Sequence, residues 1–474
     1  MKNLGKIIPA ASVLIALSAF TACEKKQEPI PDPVTTVKWA WVAGSKTINQ
    51  AGTYGTKGVP SAANVPGARE DATGWVDAGD KLWLFGGYAH DSTGFPGRAN
   101  DLWTFDPTAG AWTWVAGADI RNQAGIYGTM GLPDPISTPG ARNGAVSWID
   151  SSGRLWLFGG LAHDETGAIG QINDLWSFDP ATVQWTWVGG SPTRYQTGVY
   201  GTKGVADPSN FPGARVGAVA CLDSSGSLWL FGGFGYDAAG DKGRLNDLWK
   251  FDPATLQWTW ISGSDAIEQV GTYGTLGESD PANVPGARFE TVSWIDASGA
   301  LWLFGGDGLD FAGTIYKLND LWKFDPATLE WTWVGGSKFP GTPGVHGTLN
   351  TPDAANIPGA RSASVTWLDA DGFLWLHGGY GLDAATAEGW LNDLFRYDPE
   401  ISDWTWMGGY PLHGQKGVYG TLGTGSIENI AGARYFAVSW IDSQGVRWLF
   451  GGYGLDSEGV AGWLNDLWRQ DPAQ

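Results

Sequence analysis

RNGAVSWIDSSGRLWLFGG occupies Arg142–Gly160, and close copies of it return along the chain. Its leading arginine ends a PGAR motif that recurs at Arg69, Arg142, Arg215, Arg288 and Arg361, and as AGAR at Arg434. The spacing is 73 residues every time. Inside the stretch, AVSWID and LWLFGG are short β-rich apolar runs joined by the turn D-x-x-G (Asp150–Gly153). Further out lie NDLWSFDP (Asn173–Pro180) and QWTWVGG (Gln184–Gly190), joined across Asp179–Thr182. The four runs are designated strands A to D. A–B and C–D have hairpin-length connections, whereas B–C spans 12 residues and D–A spans 22.

A four-stranded antiparallel unit repeated six times reads as an all-β protein, a six-bladed β-propeller covering residues 38–474. The ends agree with this. The last unit stops at NDLWRQDPAQ without a strand D, and the first is preceded by an orphan one, KWAWVAGS, in the WTW register. The N-terminal strand is therefore expected to complete the last blade and close the ring, which also removes two exposed strand edges.

Of 30 tryptophans, 28 fall in repeat columns: 12 in strand D, 6 in B, 5 in C and 5 in A. Their expected place is the core between blades. Cys221 stands in the tryptophan column of strand A and reads as a small buried apolar residue, not a nucleophile. Charged residues make up only 16% of the chain, and the net charge is −20. That balance argues against a broad nucleic-acid or anionic-membrane surface, both of which need a positive field.

Residues 1–22 read as a secretory signal: Lys2 and Lys6, an apolar run Ile7–Phe20, then Thr21-Ala22-Cys23. The segment resembles a bacterial lipoprotein signal, which would make Cys23 the lipidated residue. Residues 23–37, polar and proline-bearing, read as a flexible tether. The resemblance implies a lipid-anchored protein of the bacterial cell envelope, with the outer membrane as the expected site. With only Cys23 and Cys221 present, no disulfide is expected in the mature domain.

LWLFGG followed by a WTW strand in every unit (LWLHGG once, at His377) resembles the kelch-repeat propellers, which share the galactose-oxidase architecture. The repeat is longer than the usual kelch unit, chiefly in the D–A segment, which carries its own signature G-x-Y-G-T (Gly52–Thr56, Gly125–Thr129). Alternating strand direction places the long B–C and D–A connections on one face. Kelch propellers have strand A innermost, so the resemblance puts Arg69, Arg142, Arg215, Arg288, Arg361 and Arg434 at the mouth of the central channel. Some kelch domains bind acidic peptides through such arginines. The alternative is an internal clasp, because two aspartate columns share the period. One runs through the B–C connection (Asp91, Asp164, Asp237, Asp310, Asp383, Asp456) and the other through NDL (Asp101, Asp174, Asp247, Asp320, Asp393, Asp466).

A site for one ligand should break the sixfold symmetry. The column two before NDL reads Arg98, Gln171, Arg244, Lys317, Trp390, Trp463, and Tyr380 and Tyr453 follow the glycine pair in the same two units. These four aromatics are candidates for stacking a sugar or anchoring a peptide. Asp71 and Glu290, two after the arginine, face one another across the channel, on walls expected to be too far apart for a glycosidase pair. No cofactor is expected. The loop Asp91–Gly94 offers only a weak calcium signal, and His90, His163, His346, His377 and His413 lack metal-ligand spacing. Copper-oxidase chemistry is not expected from this set. The expected partner is an extracellular or periplasmic glycan or protein bound on the long-loop face. A sugar-active enzyme such as a mutarotase, and a purely structural envelope protein, are the alternatives.

Overall fold

The computed structural model describes residues 37–471. The signal segment, Cys23 and the tether up to residue 36 lie outside the described residues. Among those described, every regular element is a β-strand. Each unit forms one antiparallel sheet in the order A-B-C-D. In the second unit the strands are Val146–Ile149, Leu155–Phe158, Leu175–Asp179 and Gln184–Gly189.

Among the described residues there are six such sheets, and their A strands pack on one another in a closed circuit, the sixth against the first. The last sheet takes its strand D from the other end of the chain: Trp39–Ala43 pairs antiparallel with Leu467–Gln470, Trp41 opposite Trp468. A hydrogen bond between sheets crosses the same junction. The indole of Trp440 donates to the Trp83 carbonyl at 3.1 Å, as Trp75 does to Trp156 one unit on at 3.2 Å.

Between sheets, the phenylalanine of LWLF packs on the first tryptophan of the next unit's strand D. Ring separations are 5.3 Å for Phe85–Trp185 and 5.4 Å for Phe158–Trp258, Phe304–Trp404 and Phe450–Trp112. Burying one such ring stabilises by about 1.5–3 kcal/mol. In the fifth unit His377 replaces the phenylalanine, 5.8 Å from Trp39 of the closing strand.

The B–C connection is not the loop expected from sequence. In the third unit Leu228–Tyr236 and Lys242–Asp252 run on past the glycine pair as one hairpin, with a register shift between Phe231 and Gly233. The pair makes the bend: Gly232 sits at φ +64°, and a Cβ there would lie 2.7 Å from the Arg288 carbonyl oxygen. The extended ribbon gains a third strand from the residues at the repeat arginine, as Arg215–Val216 pairs with Gly235 and Phe234.

The D–A segments have a different task. Each covers the outer edge of the sheet it is about to enter: the Gly58 amide donates to the Trp114 carbonyl, and Asn64 Nδ2 to that of Trp112. This satisfies strand-D groups that would otherwise form an open edge.

Candidate ligand-binding site

The six arginines are withdrawn from solvent; Arg69 is 1% exposed. Each forms a bidentate pair with the NDL aspartate of its own unit, as Arg69 with both oxygens of Asp101 at 2.8 and 2.7 Å. Arg69 Nε donates to the Gly67 carbonyl and Nη1 also to that of Gly86, so four hydrogen bonds hold the fork in place. Arg142, Arg215, Arg288, Arg361 and Arg434 repeat this arrangement. The G-x-Y-G-T tyrosine donates to the same carboxylate, Tyr54 to Asp101 at 2.8 Å, and so does the indole of Trp103 at 2.7 Å. Burial pulls the Arg69 guanidinium down, but the Asp101 carboxylate outweighs it and holds the group above its ordinary pKa. A ring of free guanidinium groups at the mouth is thereby corrected to six internal clasps.

The second aspartate column does not take part. Asp91 Oδ1 accepts from Thr93 and from the Phe95 amide, and Oδ2 accepts from Arg121 at 2.7 Å. Its oxygens are thus occupied in closing the turn suggested for calcium. Among the described residues, no group of three or more His, Cys, Asp or Glu side chains is placed to hold a metal ion. Cys221 lies 3.0 Å from Ser293 Oγ, and burial pushes its thiol up to about 12.

Two residues beyond each arginine the chain passes through the left-handed region: Asp71, Glu290, Ala363 and Phe436 at φ +54°, Gly144 at +64° and Gly217 at +65°. Their backbones form a closed ring of hydrogen bonds. Asp71 donates to the Phe436 carbonyl, Gly144 to Asp71, Gly217 to Gly144, Glu290 to Gly217, Ala363 to Glu290, and Phe436 to Ala363, at 2.8–3.1 Å. This ring frames a cavity of about 140 Å³. Below it the channel is lined by hydroxyls, among them Ser147, Ser293, Thr366 and Ser439. Glycine would be unstrained at all six positions. The four side chains kept there cost about 1–2 kcal/mol each, and such strain concentrates where a side chain serves a purpose.

Asp71 and Glu290 both line this cavity. Burial, then the charges of Glu290 and Glu70, raise the Asp71 carboxyl to about 8, against a 2.7 Å hydrogen bond from Asn143. Burial likewise lifts Glu290 to about 7, opposed by Lys317 and by Ser362 donating at 3.1 Å.

Outside the ring, the three-stranded ribbons carry non-repeating side chains side by side. Tyr435, Tyr453 and Trp463 are cross-strand neighbours in the sixth unit, as are Ser362, Tyr380 and Trp390 in the fifth and Glu70, Tyr88 and Arg98 in the first. The four aromatics singled out from sequence are therefore brought together, and three more join them. Ring contacts link Phe436 on the cavity wall to Tyr435 (4.8 Å), Tyr435 to Tyr453 (5.9 Å), Tyr453 to Trp463 (5.4 Å) and Trp463 to Tyr88 (5.5 Å). Trp390 meets Tyr453 at 5.7 Å, and Tyr380 meets Tyr435 at 6.0 Å. All seven are half-buried. Tyr88 and Tyr435 escaped the sequence reading, although their columns also vary between units, and Phe436 stands in the same varying column as Asp71 and Glu290. The facing sector is mixed: Phe234 meets Phe289 at 5.7 Å, and Asp307 pairs with Arg244 at 2.7 Å and Lys317 at 2.6 Å.

Residues 204–408 match the KLHDC2/KLHL20/DRC7 kelch-repeats domain. The chain is 26% identical over 297 residues to Kelch domain-containing protein 3 of Homo sapiens, covering 54% of this chain and 68% of that one. It is 29% identical over 178 residues to N-acetylneuraminate epimerase of Yersinia enterocolitica, covering 33% of this chain and 44% of the relative. Against the Escherichia coli (strain K12) epimerase the identity is 27% over 179 residues, with 34% and 48% covered, so the match spans about half of each epimerase. A solved structure of YjhT superposes with a TM-score of 0.48 at 15% identity, covering 87% of this chain and 95% of that one. The repeats, the closed circuit of sheets and the family matches together support a kelch β-propeller.

Proposed function

We propose that this propeller binds a glycan at the mouth of its central channel, stacking sugar rings on the aromatic arc of the fifth, sixth and first units. What carries the reading is the arc itself: seven rings in continuous contact from the cavity wall outward, across the fifth, sixth and first units. Aromatic faces suit the apolar C–H side of a sugar. Asp71, Glu290, Asn143 and Arg98 supply the mix of acceptors and donors that hydroxyls need. The anchor and the envelope location belong to the same proposal, with Cys23 holding the propeller at the membrane and the bound glycan outside the cytoplasm.

The test is a glycan array probed with the full chain and with the W390A/W463A double variant. Retention of one glycan class by the parent, lost in the variant at an unchanged Tm, supports the reading. A collapse of Tm instead would assign the arc to packing and overturn it.

A second reading, a sugar-active enzyme of the mutarotase or epimerase kind, is favoured by one observation. Asp71 and Glu290 share the cavity, with carboxyls raised to about 8 and about 7, the range in which a group can both give and take a proton near neutral pH. The relatives named N-acetylneuraminate epimerase lend it support. Polarimetry of freshly dissolved sugars decides: catalysed mutarotation that Asp71→Asn and Glu290→Gln abolish would favour the enzyme. Binding without catalysis would leave the module.

A further inference from the structure

The repeat also fails on the blade faces, far from the mouth columns. Strand B begins with Leu82, Leu155, Leu228, Leu301 and Leu374 in five units and with Arg447 in the sixth. Strand C carries Phe105, Phe178, Phe251, Phe324 and Tyr397 at one position, and Gln470 in the sixth. In the other units the leucine lies opposite the aromatic across the two strands, as Leu82 does Phe105, and Arg447 and Gln470 keep that register. Both are deeply buried, at 3% and 0% exposure.

Arg447 Nε donates to Gln470 Oε1 at 3.0 Å, and its guanidinium lies 3.8 Å over the Trp375 ring of the fifth unit. No described carboxylate lies within ion-pair distance of it. Arg396, cross-strand neighbour of Trp375, lies 6.0 Å from the same ring and 4.4 Å over Phe373, also without an ion pair among the described residues. The equivalent lysines in the two preceding units are paired, Lys250 with Asp223 at 3.1 Å and Lys323 with Asp296 at 3.6 Å.

Two buried donors here have no acceptor among the described residues: Arg396 Nε and Gln470 Nε2. The carboxylate that acts on Arg447, Asp369, is already engaged. Its Oδ2 accepts from the Trp375 indole at 2.7 Å, and its Oδ1 from the amides of Asp371 and Phe373 at 3.1 and 2.9 Å. The contact between the fifth and sixth sheets therefore gathers unpaired donors and two like charges, with Arg447 and Gln470 standing where the other five units place leucine and an aromatic ring. A buried guanidinium without a counter-charge is costly, and its planar fork matches carboxylate and phosphate oxygens.

We propose that the contact between the fifth and sixth sheets, at Arg396, Arg447 and Gln470, binds a small oxyanion bearing a phosphate or carboxylate group. The oxyanion supplies the acceptors that are missing among the described residues and offsets the charge of the two arginines. The site is separate from the mouth and stands whether or not a glycan binds there.

Thermal unfolding of the full chain is followed against sodium phosphate, against sodium malonate as the carboxylate arm, and against sodium chloride at equal ionic strength. The parent is expected to show a saturable rise in Tm with phosphate or malonate beyond that with chloride. The arm saturating at the lower concentration identifies the preferred anion. R447L/Q470F, which installs the residues of the other units and so preserves packing, should lose the rise. Arg396→Ala should keep it but need about tenfold more anion, the worth of one charge-assisted hydrogen bond. Equal responses in the parent and R447L/Q470F, or no rise beyond chloride in either arm, would overturn the proposal.

Discussion

His377→Phe tests the ring-closing contact. Five interblade contacts pair phenylalanine with tryptophan; the one made to the N-terminal strand pairs His377 with Trp39 at 5.8 Å, and His377 also meets Trp367 at 6.4 Å. The imidazole is 3% exposed, and neither ring nitrogen has a hydrogen-bond partner among the described residues. Burial lowers its pKa to about 4, reinforced by the charges of Arg434 and Arg361 and opposed by Asp393. A free imidazole titrates near 6.5. Between those values the unfolded chain takes up a proton that the folded chain refuses. His377 therefore costs no stability by titration above about pH 6.5. The cost grows as pH falls and levels off below about 4. The full difference is worth about 3 kcal/mol. At about 2.1 cal/mol/K of unfolding entropy per residue, that is roughly 3 °C in Tm for a chain of this size.

Differential scanning calorimetry of both proteins from about pH 7.5 to 4 reads the effect as a gap. H377F should be at least as stable at the neutral end, since it removes an unpaired polar group, and its lead should widen by roughly 3 °C at the acid end. Hydrogen exchange at Trp39–Ala43 should accelerate in the parent over the same window and stay slow in the variant. A lead that stays constant across the range would refute the reasoning, because acid sensitivity would then arise from other groups.

The clasps and the channel ring give further expected outcomes. Arg288→Met leaves the buried Asp320 carboxylate without its cation and should cost about 3–5 kcal/mol, read as a lower Tm; replacing both partners with apolar residues should cost less. Asp71 behaves oppositely to His377 in pH. Its folded pKa, about 8, lies above the ordinary 3.8, so its contribution is favourable in acid and is lost as pH rises between those values. Asp71→Asn should therefore gain on the parent in Tm from about pH 4 to 8 and hold a steady lead above that. Ala363→Gly relieves a left-handed backbone at φ +54° and should raise stability by up to about 1 kcal/mol in chemical denaturation.

Much of this was written in the sequence. The arginine and NDL columns share a period, which pointed to a clasp, but two aspartate columns share it equally. Only the packed structure distinguishes them: Asp101 lies beneath Arg69, Tyr54 and Trp103, whereas Asp91 closes a turn with Thr93 and Arg121. Trp390, Trp463, Tyr380 and Tyr453 stood out as failures of the repeat. Tyr435 did not, because its place beside Tyr453 depends on a third ribbon strand that a nominal loop had concealed. Arg447 and Gln470 break two hydrophobic columns just as visibly, yet a broken column does not reveal what faces it from the next sheet.

Repeat length, the four core strands of each unit and the orphan first strand are local properties, set by turn chemistry and by alternation along the chain, and the sequence determined them by itself. The tertiary structure alone decided the contacts across units, because these need the ring to close. Closure sets Trp39 on His377, Trp440 on Trp83, and the Asp71 amide on the Phe436 carbonyl, pairs hundreds of residues apart. It also gathers the odd residues of the fifth, sixth and first units into one aromatic sector, since the first and sixth become neighbours only in a closed circle.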